Sequence, residues 1–321
     1  MDDLVADRGR TVPQQHLDYL DAIVEAGGPQ ESEYQLVSDV LDEIYLYSYS
    51  HENGQSKILE NKIEFDNFIA RHWKIFSTPA SMQGFVRSKP NGYAGDFEII
   101  ERIYNKNVSG LKEIYRWDKF FYYSSAVKAV RARGNVLRSF VSSQNPESLL
   151  SVGAGPGLDV CQALSGAGKL RTVALLDNDP RAIERARTNI GIHIKHSPRS
   201  RVEPKFFERN ALRFRTEQKF DLIWSSGLFD YLNDKVFVFL LAKLRGMMVA
   251  DGMIVVGNFS ENNPDRAYME LVGEWFLIHR TEADLIRLGQ AAGFNPEQLS
   301  VTSDPTGVNL YLVVRGFPFD H

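Results

Sequence analysis

Apolar residues recur along the first third of the chain at the spacing of an α-helix. From Glu33 onward the intervals are three and four residues, and the stretch 57–76 repeats them. No alternating pattern interrupts this part of the chain, so we predict helices as far as about residue 76. Helical patterning resumes at Phe97–Tyr104 and again over residues 117–141. The apolar positions that define the first of these helices are Leu36, Val37, Val40, Leu41 and Ile44.

Glycine and proline interrupt the helical pattern between residues 77 and 96, which predicts an irregular loop. Within it, Gly92 and Gly95 flank Tyr93, and Asp96 follows directly. Glycines let a strained loop direct neighbouring side chains into a site. We therefore predict that residues 77–97 form a substrate loop in which Tyr93 and Asp96 are the candidate catalytic residues.

After residue 146 the pattern changes to short apolar runs separated by helical stretches, which is typical of a parallel sheet built from strand–helix units. A helix is predicted to begin after the N-cap Thr281 and to end at Gly293. The turn-rich segment 303–307 joins the last two runs, so we expect them to form an antiparallel hairpin. The predicted strands are Ser148–Val152, 172–176, 202–207, 222–225, 253–257, 298–302 and 309–314.

A length of 321 residues suits two domains. We expect a loose tail at residues 1–14, a helical domain or lid at 15–145, and an α/β domain at 146–321. The helical half is predicted to cover the site, to form a homodimer surface, or both.

The charge balance disfavours a nucleic-acid partner, because 37 basic and 41 acidic residues give a net charge of −4. The single cysteine, Cys161, excludes an intrachain disulfide. The first residues lack the basic and apolar pattern of an export signal, and no apolar run reaches ~20 residues, so we expect a cytoplasmic protein without a membrane span. Four histidines show no zinc-binding spacing, and no metal is expected; they are His72, His193, His196 and His279.

The strand Ser148–Val152 leads directly into a glycine-rich turn, which then opens a helix. Glycines allow a tight turn and close approach of a ligand, and the following helix presents backbone N–H groups. Asp177 follows the next apolar run, near the ~20-residue distance at which such folds place an acid for ribose hydroxyls. Together, the turn Gly153–Gly157 and Asp177 indicate an adenosine-bearing cofactor, either NAD or S-adenosyl-L-methionine.

Leu158 occupies the sixth motif position, where the NAD fingerprint has glycine or alanine. Leu158 and the terminal hairpin together favour S-adenosyl-L-methionine over NAD. Residues 148–315 resemble class I S-adenosylmethionine-dependent methyltransferases, whose sheet has seven strands with the last antiparallel. The resemblance implies an α/β fold with a Rossmann-like seven-stranded sheet, preceded here by the helical domain, and S-adenosyl-L-methionine as the cofactor.

In that family the strand equivalent to 220–224 ends over the transferred methyl group. Asn210 and Ala211 occupy the place where an acid commonly lies near the adenine amino group, and the asparagine departs from that pattern. The cofactor residues that the loop and the resemblance imply are Gly153, Ala154, Gly155, Gly157, Asp177, Asn178, Asn210, Ala211, Ser225, Ser226 and Gly227.

Two further segments, 89–97 and 226–232, carry a narrower resemblance. They are similar to bacterial methyltransferases of 3-hydroxypalmitic acid methyl ester synthesis and to free-arginine N-methyltransferases. This resemblance implies a small-molecule acceptor and extends into the helical half. The residues that we expect to bind the acceptor are Tyr93, Asp96, Phe229, Asp230, Tyr231 and Glu261.

Acids and aromatic rings dominate this predicted pocket, and such groups favour a cation. We therefore favour N-methylation of an amino or guanidino metabolite, with a carboxylate that positions the acceptor or takes its proton. Carboxyl O-methylation of a hydroxy fatty acid is the alternative, for which Arg87 and Lys89 would bind the anion. A nicotinamide-dependent oxidoreductase and a nonenzymatic cofactor-binding regulator are the remaining alternatives.

Overall fold

The computed structural model describes residues 11–52, 55–165, 168–196 and 202–316. Its helices are α1 Gln14–Glu25, α2 Tyr34–Ser48, α3 Lys62–Arg71, α4 Trp73–Phe76, α5 Met82–Ser88, α6 Phe97–Tyr104, α7 Lys112–Tyr123, α8 Ser125–Gln144, α9 Leu158–Leu164, α10 Pro180–His196, α11 Asp234–Arg245, α12 Arg266–Leu271 and α13 Glu282–Ala291. Its strands are β1 Tyr49–Glu52, β2 Gln55–Ile58, β3 Ser148–Val152, β4 Thr172–Asp177, β5 Glu203–Glu208, β6 Phe220–Ser225, β7 Met248–Phe259, β8 Leu299–Ser303 and β9 Asn309–Arg315.

The chain forms two units. The helical unit contains the described residues of Met1–Val127 together with Pro264–Phe276, and the sheet unit contains those of Lys128–Asn263 and Leu277–His321.

This division differs from the predicted boundary at residues 145/146 in two respects. Most of α8 belongs to the sheet unit, and α12 belongs to the helical unit. An amphipathic pattern identifies a helix but not the core against which it packs. Leu137 and Val141 of α8 share a buried cluster with Leu149 of β3.

The sheet unit is built on seven strands in the order β5-β4-β3-β6-β7-β9-β8. Strands β3 to β7 pair in parallel, whereas β9 is antiparallel to both of its neighbours, β7 and β8. Alternate residues of β3 enter separate cores on the two faces of the sheet: Leu150 belongs to one cluster and Leu149 to the other. The predicted fold class, including the antiparallel C-terminal hairpin, is confirmed.

A chain of aromatic rings forms the core of the helical unit. The ring of Phe76 lies 5.6 Å from that of Phe68 and 4.9 Å from that of Trp117. Phe120 continues the chain, 6.2 Å from Trp117 and 4.9 Å from Tyr268. Because Tyr268 lies in α12, a segment far along the sequence completes this core.

The prediction that residues up to 76 form helices alone is wrong. Strands β1 and β2 pair as an antiparallel hairpin in which Tyr49 faces Ile58. Strands of four residues are too short to show a two-residue period in the sequence. Tyr49 is buried and its ring lies 4.8 Å from that of Tyr45, so the hairpin is anchored on α2. The helix expected from residue 57 therefore begins only at Lys62.

The predicted loop 77–96 contains a helix, α5. Ser81 caps it by accepting a hydrogen bond from the N–H of Gly84, 2.9 Å away. Gly84 is a helical residue and not a helix breaker: a β-carbon there would lie 2.3 Å from the carbonyl oxygen of Thr78. The glycine is required for close packing. Irregular backbone follows from Lys89, which has φ +46° and ends the helix, to Asp96.

Residues 1–10 of the predicted tail lie outside the described residues, and α1 begins at Gln14. Val12 is buried, and its N–H donates to the Glu64 carboxylate over 2.7 Å. Among the helices of the described ranges, none has both the length and the apolar character that crossing a bilayer demands.

Candidate functional site

The glycine-rich turn after β3 is tied to the end of β4 by backbone hydrogen bonds. The N–H groups of Gly153 and Ala154 both donate to the carbonyl of Leu176, at 2.9 and 3.1 Å. The N–H of Gly155 donates to the Asp177 carboxylate over 2.8 Å. The turn and the acid that the sequence places in one cofactor site are therefore in direct contact.

Gly155 occupies the left-handed region, with φ +52°, and a β-carbon there would meet no atom within 4 Å. A side chain is therefore excluded by backbone conformation and not by packing. The empty space beside Gly155 is where a ligand can approach the backbone closely. This geometry fits the role predicted for the turn.

The Asp177 carboxylate is held by backbone donors on both oxygens. In addition to the bond from Gly155, the N–H of Asp179 donates to Oδ1 over 3.0 Å. Each carboxylate oxygen has two lone pairs, so acceptor capacity remains for ligand hydroxyls. Burial raises the pKa of Asp177, and the backbone hydrogen bonds from Asp179, Gly155 and Asn178 oppose that rise.

The predicted adenine-side residues lie next to this acid at the sheet edge. The N–H of Arg209 donates to the carbonyl of Asp177 over 2.9 Å, which places Asn210 directly beyond β5. The exposed Asn210 accepts the N–H of Leu212 through Oδ1, 2.8 Å away. Ala211 is partly buried against the sheet core, and Asn178 is exposed.

Ser225 is the last residue of β6 and Ser226 follows it; their side chains connect this end of the strand to β3 and α9. The hydroxyl of Ser225 donates to the carbonyl of Val152 over 2.8 Å. The hydroxyl of Ser226 donates to the Asp159 carboxylate over 3.2 Å, and Nε1 of Trp224 donates to the same carboxylate oxygen over 2.7 Å. The sequence analysis missed Asp159, which lies in the first turn of α9 and positions the segment after β6.

These predicted cofactor residues follow the carboxyl ends of β3, β4, β5 and β6. The sheet order reverses between β3 and β6, because β4 and β5 extend from β3 in one direction and β6 and β7 in the other. In doubly wound sheets, ligands bind outside the carboxyl ends of the strands at such a reversal. The predicted cofactor residues thus lie at the position where sheets of this kind bind ligands.

Phe229 and Asp230, which the sequence places in the acceptor pocket, are buried. Phe229 is 0% exposed and packs edge to face against Phe237 at 4.7 Å. Asp230 is 1% exposed, and its Oδ1 accepts the N–H of Phe259 over 2.6 Å. Burial raises the pKa of Asp230 to about 6, while the charges of Arg133 and Arg280 and the bond from Phe259 oppose the rise.

Tyr231 and Glu261 have more access to solvent. Tyr231 is 40% exposed, and Glu261 is exposed just beyond β7. The N–H of Glu261 donates to the carbonyl of Arg280 over 3.3 Å. The buried Arg280 also donates to the carbonyls of Phe229 and Leu232, at 3.2 and 2.6 Å. Arg280 therefore fixes the backbone on both sides of Asp230 and Tyr231.

Tyr93 and Asp96 belong to the helical unit. Asp96 is 0% exposed and caps α6: the N–H groups of Glu98 and Ile99 each donate to Oδ1 over 2.9 Å. Asn91 donates to Oδ2 over 2.8 Å. Burial raises the pKa of Asp96, and these three hydrogen bonds oppose it. Tyr93 is 39% exposed. Asp96 thus fixes the start of a helix beside an accessible phenol.

Arg87 and Lys89, expected to bind the anion of the alternative acceptor, are paired within the helical unit. Nη2 of Arg87 lies 3.0 Å from the Glu274 carboxylate, and Nζ of Lys89 lies 3.4 Å from it. Arg87 also donates to the carbonyl of Leu271 over 2.9 Å. These cations hold the segment that contains Leu271 and Glu274 in the helical unit.

Neither a family model nor a curated protein matches this sequence. Solved structures do match nearly the whole chain. A Bordetella parapertussis protein described as a possible exported protein is 16% identical, with a TM-score of 0.61, covering 96% of this chain and 98% of that chain. A candidate O-methyltransferase from Nostoc punctiforme is 15% identical, with a TM-score of 0.50, covering 94% and 96%. The chain therefore has the fold that its resemblance to class I methyltransferases predicts.

Proposed function

We propose that this chain is an S-adenosyl-L-methionine-dependent methyltransferase acting on a small metabolite. The observation that carries the proposal is the hydrogen-bonded pair of Gly155 and Asp177 at the reversal of the sheet order. The open space beside Gly155 lets a ligand come close to the protein backbone, and the Asp177 carboxylate retains lone pairs for ribose hydroxyls. The proposed cofactor residues are those predicted from the sequence.

Two features support S-adenosyl-L-methionine over NAD. Leu158 replaces the small residue of the NAD fingerprint. Strand β9 is inserted antiparallel between β7 and β8, as the resemblance to class I methyltransferases implies. The similarity in fold to the candidate O-methyltransferase from Nostoc punctiforme adds support at the level of architecture.

For the acceptor, we favour the nitrogen of an amino or guanidino group. The nitrogen lone pair attacks the sulfonium methyl carbon, the carbon–sulfur bond breaks, and the sulfur keeps the electron pair. The acceptor proton must pass to a base. Asp230, in the short helical turn after β6 and with its pKa raised to about 6, is ionised near neutral pH and still basic enough to accept a proton. Phe229, Tyr231 and Glu261 are proposed to shape the acceptor site; for Tyr93 and Asp96 the catalytic role stays a prediction.

Carboxyl O-methylation is the second candidate. Its predicted anion-binding residues are paired with Glu274, but the sheet unit contains another cation, Arg133, which is 8% exposed. A buried guanidinium near the end of β6 would suit a carboxylate acceptor. This observation keeps the oxygen acceptor as an alternative.

Calorimetry with S-adenosylhomocysteine and with NAD tests the cofactor. We expect S-adenosylhomocysteine to bind and NAD not to bind, and preferential NAD binding would overturn the proposal. Incubation with methyl-labelled S-adenosylmethionine and a panel of amines, guanidines and hydroxy acids then tests the acceptor. Labelling of carboxylic acids alone would exclude N-methylation, and cofactor binding without any labelling would favour a nonenzymatic regulator.

We also propose a homodimer formed through the helical unit, in a cytoplasmic protein. Large apolar side chains are exposed chiefly in this unit, which supports an interaction surface there. Sedimentation of the full chain would contradict the dimer if only the monomer mass were found at micromolar concentration. The most exposed of these side chains are Leu36, Leu46, Ile58, Ile63, Trp73 and Leu111.

A further inference from the structure

Arg133 of α8 is a buried cation to which no other described residue gives a hydrogen bond or an ion pair. It is 8% exposed, and its Nε is buried without a hydrogen bond; the described residues provide neither a hydrogen bond nor an ion pair to its guanidinium. Arg280, also buried, makes bonds to two carbonyls, to Asn258 and to Asp234. An arginine remains charged in proteins, and an unpaired buried charge is costly. Arg133 therefore calls for a hydrogen-bonding anion that the described residues do not supply.

The guanidinium of Arg133 lies at the carboxyl ends of β6 and β7. A β-carbon on Gly227 would be 3.0 Å from Nη1 of Arg133, and the ring centroid of Phe259 lies 5.9 Å from its Cζ. Gly227 belongs to the predicted cofactor segment after β6. The unpaired cation is therefore at the edge of the sheet where the proposed ligands bind.

Two more buried polar side chains lie beside this edge. The side chains of Asn309 and Tyr311 are close to each other, and neither makes a hydrogen bond to a third group among the described residues. A β-carbon on Gly257 would lie 3.1 Å from Nδ2 of Asn309 and 3.2 Å from Cα of Ser226. Native proteins satisfy almost all buried polar groups. The remaining hydrogen-bonding capacity of these two side chains is consistent with a polar ligand at the ends of β6 and β7.

The chemistry of the cluster restricts the charge of that ligand. A guanidinium presents N–H donors in a planar fork that matches the two oxygens of a carboxylate. Asp230 does not form an ion pair with Arg133, yet it is close enough for the cation to lower its pKa. A second acid so near disfavours a doubly charged anion such as phosphate, whereas one carboxylate balances one guanidinium.

We propose that Arg133 binds a carboxylate, with Asn309 and Tyr311 as neighbouring hydrogen-bonding groups. Two sources share this chemistry: the methionine carboxylate of the cofactor and a carboxylate on the methyl acceptor. The inference rests on the proposed function, and it adds a residue outside the glycine loop and the segment 225–231 to the site.

Calorimetry separates the cofactor source. S-adenosylhomocysteine carries the methionine carboxylate, whereas 5′-methylthioadenosine has the adenosine and the sulfur without it. If Arg133 binds the cofactor, Arg133→Gln weakens S-adenosylhomocysteine binding at least tenfold and leaves methylthioadenosine binding unchanged. Arg133→Lys, which keeps the charge, should give a smaller loss. Unchanged methylthioadenosine binding also shows that the variants are folded, and the exposed Arg138→Gln on the same helix is the matched control.

The acceptor source is tested with labelled S-adenosylmethionine and pairs of acceptors that differ by a carboxylate, such as arginine and agmatine. If Arg133 binds the acceptor, Arg133→Gln leaves S-adenosylhomocysteine affinity unchanged and reduces kcat/KM at least tenfold for the carboxylate-bearing member only. Equal effects on both members, together with unchanged S-adenosylhomocysteine affinity, would overturn the inference while leaving the methyltransferase intact. No binding of S-adenosylhomocysteine by the wild-type protein would instead overturn the proposed function.

Discussion

The Asp177 carboxylate joins the glycine loop to the end of β4, and its oxygens retain lone pairs that can accept further hydrogen bonds. If those lone pairs accept ribose hydroxyls, Asp177→Ala removes charged hydrogen bonds that contribute roughly 1.5–3 kcal/mol. We expect the Kd of S-adenosylhomocysteine to rise about 10- to 150-fold in calorimetry. Glu184→Gln, at an exposed position on α10 of the same unit, is the control and should bind normally. Unchanged affinity in Asp177→Ala would remove this residue from the site.

The buried Asp230 makes the stability of the protein depend on pH. Its pKa rises from 3.8 to about 6 in the folded protein, so between these values the folded chain retains a proton that the unfolded chain releases. The resulting stabilisation is complete below pH 3.8 and is lost as the pH rises through 6. It amounts to about 3 kcal/mol at most.

Denaturant unfolding at pH 4.5 and pH 7.5 measures this loss when wild type is compared with Asp230→Asn. We expect the free energy of unfolding of the wild type to fall relative to the variant as the pH rises. The exposed Asp251→Asn controls for the removal of one negative charge. A difference between wild type and Asp230→Asn that stays constant with pH would contradict the raised pKa.

Single residues differ in how far their surroundings can be predicted from the sequence. Asp177 could be predicted because its contact with the turn follows from a short strand–turn–helix pattern. Arg133 and Asp159 could not, because their neighbours lie far along the chain: Gly227 is 94 residues from Arg133, and Trp224 is 65 residues from Asp159. Asp96 was predicted from the sequence as a candidate catalytic residue, whereas its function as the N-cap of α6 depends on backbone geometry that composition does not reveal.

Among the elements, every strand of the seven-stranded sheet except β7 was predicted to within two residues at each end, whereas β1, β2 and α5 were missed. Buried parallel strands appear as continuous apolar runs, so a strand such as β4 is visible in the sequence. Strand β7 begins at Met248, five residues before its predicted start. The pair Asp251–Gly252 resembles a turn in the sequence but lies within the strand, where the pairing register with β6 shifts between Phe220 and Leu222.

In the turn between β3 and α9, Gly155 has a left-handed backbone conformation and also borders the space proposed for the cofactor, so one substitution tests both features. Gly155→Ala places a side chain at φ +52°, which costs about 1–2 kcal/mol, and puts a β-carbon into the space from which the cofactor is proposed to approach. We expect a lower midpoint of thermal unfolding and about a tenfold rise in the Kd of S-adenosylhomocysteine.

Gly191 provides the matched control for the turn. It lies in α10, where a β-carbon also meets no atom within 4 Å and where no positive φ is found. Gly191→Ala should therefore stabilise the protein by about 0.5–1 kcal/mol and leave cofactor affinity unchanged. Equal affinities for S-adenosylhomocysteine in the two alanine variants would show that the space beside Gly155 does not bind the cofactor.

At the scale of the whole molecule, the helical unit is discontinuous in sequence. Its first part ends at Val127, and Pro264–Phe276 completes it after most of the sheet has been built. The sequence pattern could not reveal this, because a boundary inferred from a change in periodicity assumes that each domain is one continuous stretch. The folded core of the helical unit therefore depends on residues translated long after its first helices.

The contribution of α12 to the stability of the helical unit can be measured by substituting Glu270. It is 0% exposed, accepts the Tyr45 hydroxyl over 2.6 Å and pairs with Arg266 over 2.9 Å. Glu270→Ala removes the buried carboxylate that both the Tyr45 hydroxyl and the largely buried Arg266 contact, at a cost of about 3 kcal/mol. Amide hydrogen exchange should then accelerate about 100-fold in α2 of the helical unit if its opening requires the loss of this contact. Glu297→Ala, at an exposed position of the sheet unit, is the control and should change neither unit. Faster exchange confined to strands β3 to β9, with α2 protected as in the wild type, would show that α12 does not stabilise the helical unit.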